Sequence, residues 1–360
     1  MADLRLVLSG YYGFDNVGDE AILYAIIQSL RSIEPKVDIV VLSNNPEKTK
    51  EQYDVKAVNR WSIREVSSAI KHSDGLISGG GSLLQDETGW KSIPYYTGIM
   101  KIAQFLKKPV FVYAQGMGPF KNRVNKLIVK STLNRASILT VRDEQSRQLL
   151  QSIGVNRAIQ IVPDPVISLN PFEFSSPWMD QHKAPSKSVT VSIRDWPSDS
   201  NYMEEVALSL DELAARGYQI IFIPMHGKHD LEASKTVQGM MKQKSLIAPH
   251  DSTIQEKMAV IRESDILLGM RLHALIFASV GYTPFVALSY DPKVDSFASI
   301  VQQKVAGNVN INNWSHHDIV SSIEMINDHY GEEVDKLKAL VSPLQQSSLH
   351  TAKDVIVKLT

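Results

Sequence analysis

Short runs of aliphatic and β-branched residues, apolar from end to end, alternate along this chain with longer amphipathic stretches. "LRLVLS", "VDIVVL", "GLISG", "PVFVYA", "SILTV" and "IQIVP" come first, and "SVTVSI", "QIIFIP", "DILLG" and "PFVAL" follow. A strand with no polar face must be covered on both sides, which is the situation of parallel sheets flanked by crossover helices. The intervening "NYMEEVALSLDELAARG" shows the helical period, with Val206, Leu210 and Leu213 on one face and Gly217 as a stop. The fold class is therefore α/β.

The alternation pauses once, in "PDPVISLNPFEFSSPWMDQHKAPSKS", where neither period is visible. With 360 residues, more than one core usually organises, this predicts two Rossmann-like domains. Their expected limits are 1–165 and 188–330, with a linker over 166–187 and a helical segment over 331–360. Ligands of open α/β sheets bind beyond the carboxyl ends of the strands, so the expected site is a cleft between the domains.

A net charge of −1 excludes broad electrostatic capture of nucleic acid or anionic lipid, although it leaves room for a local basic patch, and any anion site must be local. The absence of cysteine excludes disulfides, thiolate metal sites and cysteine nucleophiles. The start shows no cleavable leader, and no run reaches the length of a spanning helix, which predicts a cytoplasmic protein.

Five stretches can carry chemistry. In "SGYYGFDNVGDEAIL" a strand gives way to a helix through a loop with Gly10, Gly13 and Gly18, where backbone N–H groups can approach a ligand. It is neither GxGxxG nor Walker A, and Asp19 and Glu20 suit the helix dipole without any ligand. Asp15 and Asn16 are its candidate acceptor-binding residues. "ISGGGSLLQDETGW" places Gly80 and Gly81 in a backbone nest that could hold phosphate or carboxylate, with Asp86 and Glu87 beyond it to read sugar hydroxyls. A plain tight turn is the alternative. "VYAQGMGPF" is read as a third strand end opening into a glycine-rich loop.

In "ILTVRDEQSRQLL", Arg142 follows a strand where its guanidinium can bind an anion through two parallel hydrogen bonds, unless Asp143 or Glu144 occupies it. In "DILLGMRLHALIFASVG", Arg271 and His273 fall at a strand-to-helix junction. Leu272 can enter the core while its neighbours face the cleft, and two cationic donors at one strand end call for an anion. Lys293 follows the next strand on the same rim, and His226, with His229 nearby, follows another. His226 is a candidate acceptor contact. No convergent carboxylate set supports a metal site.

Together, "YYGFDNVGDEAIL", "SGGGSLLQD", "AQGMGP", "VRDEQS" and "GMRLHALIFAS" resemble the polysaccharide pyruvyl transferases, most closely the CsaB type acting on bacterial secondary cell-wall polymers. The resemblance implies a glycosyltransferase-B-like fold, two Rossmann-like domains facing each other across a cleft. It implies transfer of pyruvate from phosphoenolpyruvate to a sugar as a 4,6-ketal, on N-acetylmannosamine of a lipid-linked precursor at the inner membrane face. Phosphoenolpyruvate is then a co-substrate and no cofactor is expected. The family's active-site arginine falls on Arg142, its RLH motif on Arg271, Leu272 and His273, and its following lysine on Lys293. His273 would be the acid–base residue, with Arg142, Arg271 and Lys293 on the donor's anionic groups.

Two other readings stay open on fold grounds: a nucleotide-sugar glycosyltransferase, and a non-catalytic saccharide-binding component. Peripheral membrane contact is implied by the acceptor alone. The amphipathic stretch "IPYYTGIMKIAQFLKKP" is read first as a cleft-wall helix, with a lipid-facing surface as its alternative.

Overall fold

Parallel pairing is what unbroken apolar strands require, and a computed structural model, which describes residues 4–86, 89 and 91–360, pairs every strand that way among those residues. The first sheet holds β1 (Arg5–Ser9), β2 (Asp38–Ser43), β3 (Lys56–Asn59), β4 (Gly75–Ser78), β5 (Gly81–Leu84), β6 (Val110–Met117), β7 (Ile138–Val141) and β8 (Gln160–Ile161). Their order is β3-β2-β1-β4-β6-β7-β8, with β5 paired to β6. The second holds β9 (Ser188–Ser192), β10 (Gln219–Phe222), β11 (Leu246–Ile247), β12 (Ile266–Gly269), β13 (Phe285–Ser289) and β14 (Lys304–Asn308), in the order β11-β10-β9-β12-β13-β14. Strand order reverses between β1 and β4 in one sheet and between β9 and β12 in the other. Crevices form at such points, because successive crossovers leave in opposite directions.

The helices are α1 (Val17–Ile33), α2 (Pro46–Tyr53), α3 (Ile63–Lys71), α4 (Ser92–Phe105), α5 (Arg123–Leu133), α6 (Glu144–Ser152), α7 (Pro177–His182), α8 (Tyr202–Ala215), α9 (Gly227–Met240), α10 (Ile254–Arg262), α11 (Leu272–Val280), α12 (Pro292–Ile300), α13 (His316–Asp328), α14 (Tyr330–Ser348) and α15 (His350–Leu359). Side-chain caps fix many of their starts: Asn16, Asn45, Ser62, Asn122, Asp143 and Asp291 each accept a hydrogen bond from a backbone N–H of the first turn. As its period predicts, α8 buries Val206, Leu210 and Leu213, and Gly217 takes a positive φ of 95° just beyond its end.

The chain forms two compact units, Met1–Leu169 with Leu344–Thr360, and Asn170–Pro343. The stretch 166–187, expected as a linker, carries local structure: 3-10 turns occupy Pro165–Ser168 and Pro171–Glu173 before α7. Each of the three turns starts on proline behind a capping side chain, Asp164, Asn170 or Ser176. The stretch 331–360 is not one separate segment. Its division falls at Pro343 within α14, and α15 returns to the first unit, burying Ala352, Val355 and Ile356 as it packs on α1.

Candidate active site

In the first unit, β6 runs on through Met117, so the predicted glycine-rich loop is strand, irregular in register around Tyr113 and Ala114. Buried Gln115 spans to the neighbouring strand end, its Nε2 donating to Ser78 O at 3.1 Å, Ser78 Oγ at 2.7 Å and Gly79 O at 2.9 Å. It thereby fixes the triple-glycine segment. Gly80 packs against Ile22 and Pro165. Gly81 has φ +85°, and a Cβ there would stand 3.0 Å from Asp19 Oδ1. What faces this backbone is therefore α1 and a carboxyl group, rather than an open nest.

Arg142, directly after β7, lies in the same region. Its side chain is largely covered, and its Nη2 donates to Ser82 Oγ at 3.0 Å. Asp164 Oδ2 is 3.5 Å from Nη1 and Asp143 Oδ2 3.8 Å from Nε. Neither carboxylate closes a tight two-point pair. Asp143 instead caps α6 through Ser146 N at 2.7 Å, and Glu144 pairs with Arg147 at 2.6 Å. Burial, the neighbouring Glu20 and Asp164 push the Asp19 carboxyl up to about 7, against the pull of Arg142 and Arg60.

That shift has a stability consequence. An unfolded Asp19 ionises near its ordinary 3.8 while the folded one holds its proton to about 7, so folding loses stability as pH rises across that window. Asp19→Asn is expected to be more stable than wild type above pH 7, on the order of 2 kcal/mol, with the gap vanishing below about pH 4. Urea denaturation at several pH values checks this; a gap that does not change with pH would refute the shift.

The three acidic or amide candidates of this unit serve local structure. Asp15 forms an exposed ion pair with Lys48 at 2.7 Å. Asn16 caps α1. Asp86 accepts from the Lys121 and Asn122 backbone N–H groups and from Asn125 Nδ2, so that, although partial burial pushes its carboxyl up, these donors hold it below the usual carboxylate range. These contacts supply Asp15, Asn16 and Asp86 with partners that need no sugar. Glu87 lies outside the described residues. Glu20 turns inward, accepting from Gly13 N and Tyr53 Oη, both at 2.7 Å.

Sequence reasoning did not single out Arg60. Its buried guanidinium donates to Gly10 O at 2.8 Å and Tyr96 Oη at 3.2 Å, ringed by Phe14, Trp61, Tyr95 and Tyr96 at 4.6–5.5 Å. It holds the first loop in place and presents Tyr11, stacked on Phe14 at 4.1 Å, as a flat exposed face of the kind a sugar ring can rest on.

In the second unit, the ends of adjacent strands carry the cationic groups. Arg271 stands immediately before α11 and behind β12, and His273 stands in that helix's first turn, both half-buried. Leu272, expected in the core, is half-buried as well. The Arg271 guanidinium is not open on all sides. Its Nε donates to Asp230 Oδ2 at 2.9 Å and its Nη2 to Asp230 Oδ1, a two-point pair with a carboxylate that is 1% exposed. Asp230 also accepts from Met225 N at 3.2 Å. The sequence reading missed this acid, although it stands one helical turn after His226.

His226 lies at the start of α9 behind β10, its ring 5.3 Å from that of His229. Burial, then Arg271, hold its pKa below the ordinary histidine value. Lys293 sits in the first turn of α12, behind β13, exposed and 3.3 Å from Asp291. Arg194, behind β9, was also missed: its guanidinium lies over Trp196 and Tyr290 at 4.9 and 4.7 Å. The signal was present, because "TVRD" and "SIRD" both put Arg-Asp at a strand end. Strands β10, β9, β12 and β13 are consecutive in the sheet, so His226, Arg194, Arg271 with His273, and Lys293 mark one edge.

A family model described as polysaccharide pyruvyl transferase matches residues 16–292. The amylovoran biosynthesis protein AmsJ of Erwinia amylovora is 22% identical, with 92% of this chain and 94% of that protein covered. Among solved structures, a UDP-N-acetylglucosamine 2-epimerase superposes with a TM-score of 0.68 at 14% identity, covering 100% of this chain and 96% of its own. Anabaena HepE in complex with UDP-glucose gives 0.65 at 13%, covering 99% of both chains. These likenesses establish the glycosyltransferase-B type of fold.

Proposed function

The chain belongs to the polysaccharide pyruvyl transferase family, and from that premise we propose that it transfers the pyruvyl group of phosphoenolpyruvate to a sugar, forming a 4,6-ketal and releasing phosphate. The acceptor we propose is N-acetylmannosamine of a lipid-linked cell-wall precursor. The observation that carries the reading is the row of basic groups at the carboxyl edge of the second sheet, Arg194, Arg271, His273 and Lys293, flanking its point of strand reversal. A small donor bearing both a phosphate and a carboxylate matches such a row.

The proposed chemistry balances as follows. A proton adds to the donor's methylene carbon, and one sugar hydroxyl attacks C2. The C2–O bond to phosphate breaks, and the second hydroxyl closes the six-membered ring at the same carbon. Of the two hydroxyl protons, one replaces the proton placed on the methyl carbon and the other leaves with phosphate. We assign the proton-carrying role to His273 and the holding of the donor's anionic groups to Arg142, Arg271 and Lys293.

Phosphate release from phosphoenolpyruvate with an N-acetylmannosamine-containing acceptor, with mass detection of the ketal, tests the reading. Thermal shift supplies a second arm. Phosphoenolpyruvate is expected to raise the melting temperature of wild type and not of Arg142→Ala. A rise with nucleotide sugars and none with phosphoenolpyruvate would instead favour a glycosyltransferase.

A further inference from the structure

On the outer side of the Arg60 cluster, α3 and α4 border an apolar hollow of about 250 Å³ on the first unit, lined by Arg60, Trp61, Ile63, Tyr95, Gly98 and Ile102 among others. The side chains at its rim are unusually open for their type. Trp61 is 62% exposed and Ile63 65%. Along α4 the lining positions 95, 98 and 102 recur at helical spacing, and the next position in that series is Phe105, 87% exposed. The opposite face of α4 is buried through Ile93, Tyr96, Met100 and Ala103, and Ile99 forms the floor between. The helix therefore covers its sheet with one side and leaves an aromatic and aliphatic stripe on the other.

The segments that carry this stripe are predominantly basic. Segments 61–71 and 91–108 contain Arg64, Lys71, Lys91, Lys101, Lys107 and Lys108 against a single acid, Glu65. Glu65 accepts from the Asn59 backbone N–H and so serves the start of its own helix. The chain as a whole carries a net charge of −1, so this local excess of basic residues is set against the composition. No helix among the described residues is long and apolar enough to cross a membrane.

We propose that this face docks the first unit on an anionic phospholipid surface, with Trp61, Ile63 and Phe105 entering the headgroup region and the surrounding lysines and Arg64 meeting lipid phosphates. Tryptophan and phenylalanine beside basic residues are the composition that binds in the interfacial plane, and basic residues near an anionic leaflet add electrostatic attraction. A protein partner burying the same stripe would need acidic complementarity and would leave the lipid prediction unfulfilled. The inference rests on this surface alone and is independent of the reaction catalysed.

Co-sedimentation of the full chain with vesicles tests it. Wild type is expected to pellet with vesicles of phosphatidylcholine and phosphatidylglycerol in equal parts, and at least about tenfold less with phosphatidylcholine alone. Trp61→Ser/Ile63→Ser/Phe105→Ser and Lys101→Glu/Lys107→Glu/Lys108→Glu should each stay in the supernatant. These side chains are exposed, so both variants should keep the wild-type circular dichroism and melting temperature. Wild type remaining in the supernatant with anionic vesicles, or both folded variants pelleting like wild type, would overturn the proposal. A dimer seen by sedimentation velocity and lost in the serine variant, without vesicle binding, would assign the face to a second copy of the chain instead.

Discussion

Asp230→Ala is expected to destabilise the second unit by about 3–5 kcal/mol, the typical cost of stranding one member of a buried ion pair. Asp230 is all but inaccessible and holds Arg271 at two points, while also accepting from the Met225 backbone N–H. Its removal leaves a guanidinium and an N–H without their acceptor. Chemical denaturation reads the loss, and the companion variant Asp230→Ala/Arg271→Met should recover much of it, because removing both charges leaves none unpaired. A loss under about 1 kcal/mol in Asp230→Ala would mean that water reaches and satisfies Arg271. The same pair bears on function: a carboxylate taking one edge of the guanidinium fixes its rotamer and leaves Nη1 to address a ligand. Asp230→Asn keeps an acceptor for Met225 but weakens that hold.

The second large effect concerns turnover. His273→Ala is expected to lower phosphate release by about 10²–10⁴-fold, the range associated with loss of a positioned proton carrier. Its response to phosphoenolpyruvate in thermal shift should stay close to that of wild type, because the donor's anionic groups are assigned to Arg142, Arg271 and Lys293. Turnover within a few-fold of wild type would remove His273 from the proton-transfer role. Loss of the thermal response would move it to donor binding.

Where side chains face a uniform interior, the sequence is a reliable guide. The central strands β1, β4, β6, β9, β12 and β13 were legible because both their faces are covered and their residues are buried throughout or nearly so. Strands β3, β11 and β14 were not: they lie at sheet edges and are partly exposed, so they carry no continuous apolar run. The short turns of 165–182 were hidden for another reason. Their signal is a capping residue before proline, repeated at 164, 170 and 176, and it has no hydrophobic period.

For the candidate site, the sequence places Arg142, Arg271, His273 and Lys293 directly after apolar strands, and the structure has them there, behind β7, β12 and β13. What could not be read was pairing across long sequence separations, such as Asp230 with Arg271 or Asp19 beside Gly81. The local partners of the acidic and amide candidates were equally out of reach of the sequence. Asp15 pairs with Lys48 at the surface, Asn16 caps α1, and Asp86 accepts from backbone N–H groups of the 121–122 loop.

The first unit is assembled from two stretches far apart in the chain, and this bears on its birth at the ribosome. When Leu169 emerges, α1 still lacks α15, whose Ala352, Val355 and Ile356 will cover part of it. Translation at about 5–20 residues per second needs roughly ten seconds or longer to make residues 170–343 in between. Throughout that interval an apolar face of the nascent chain stands open to solvent and to chaperones, while Asn170–Pro343, a single continuous stretch, can close its own core first.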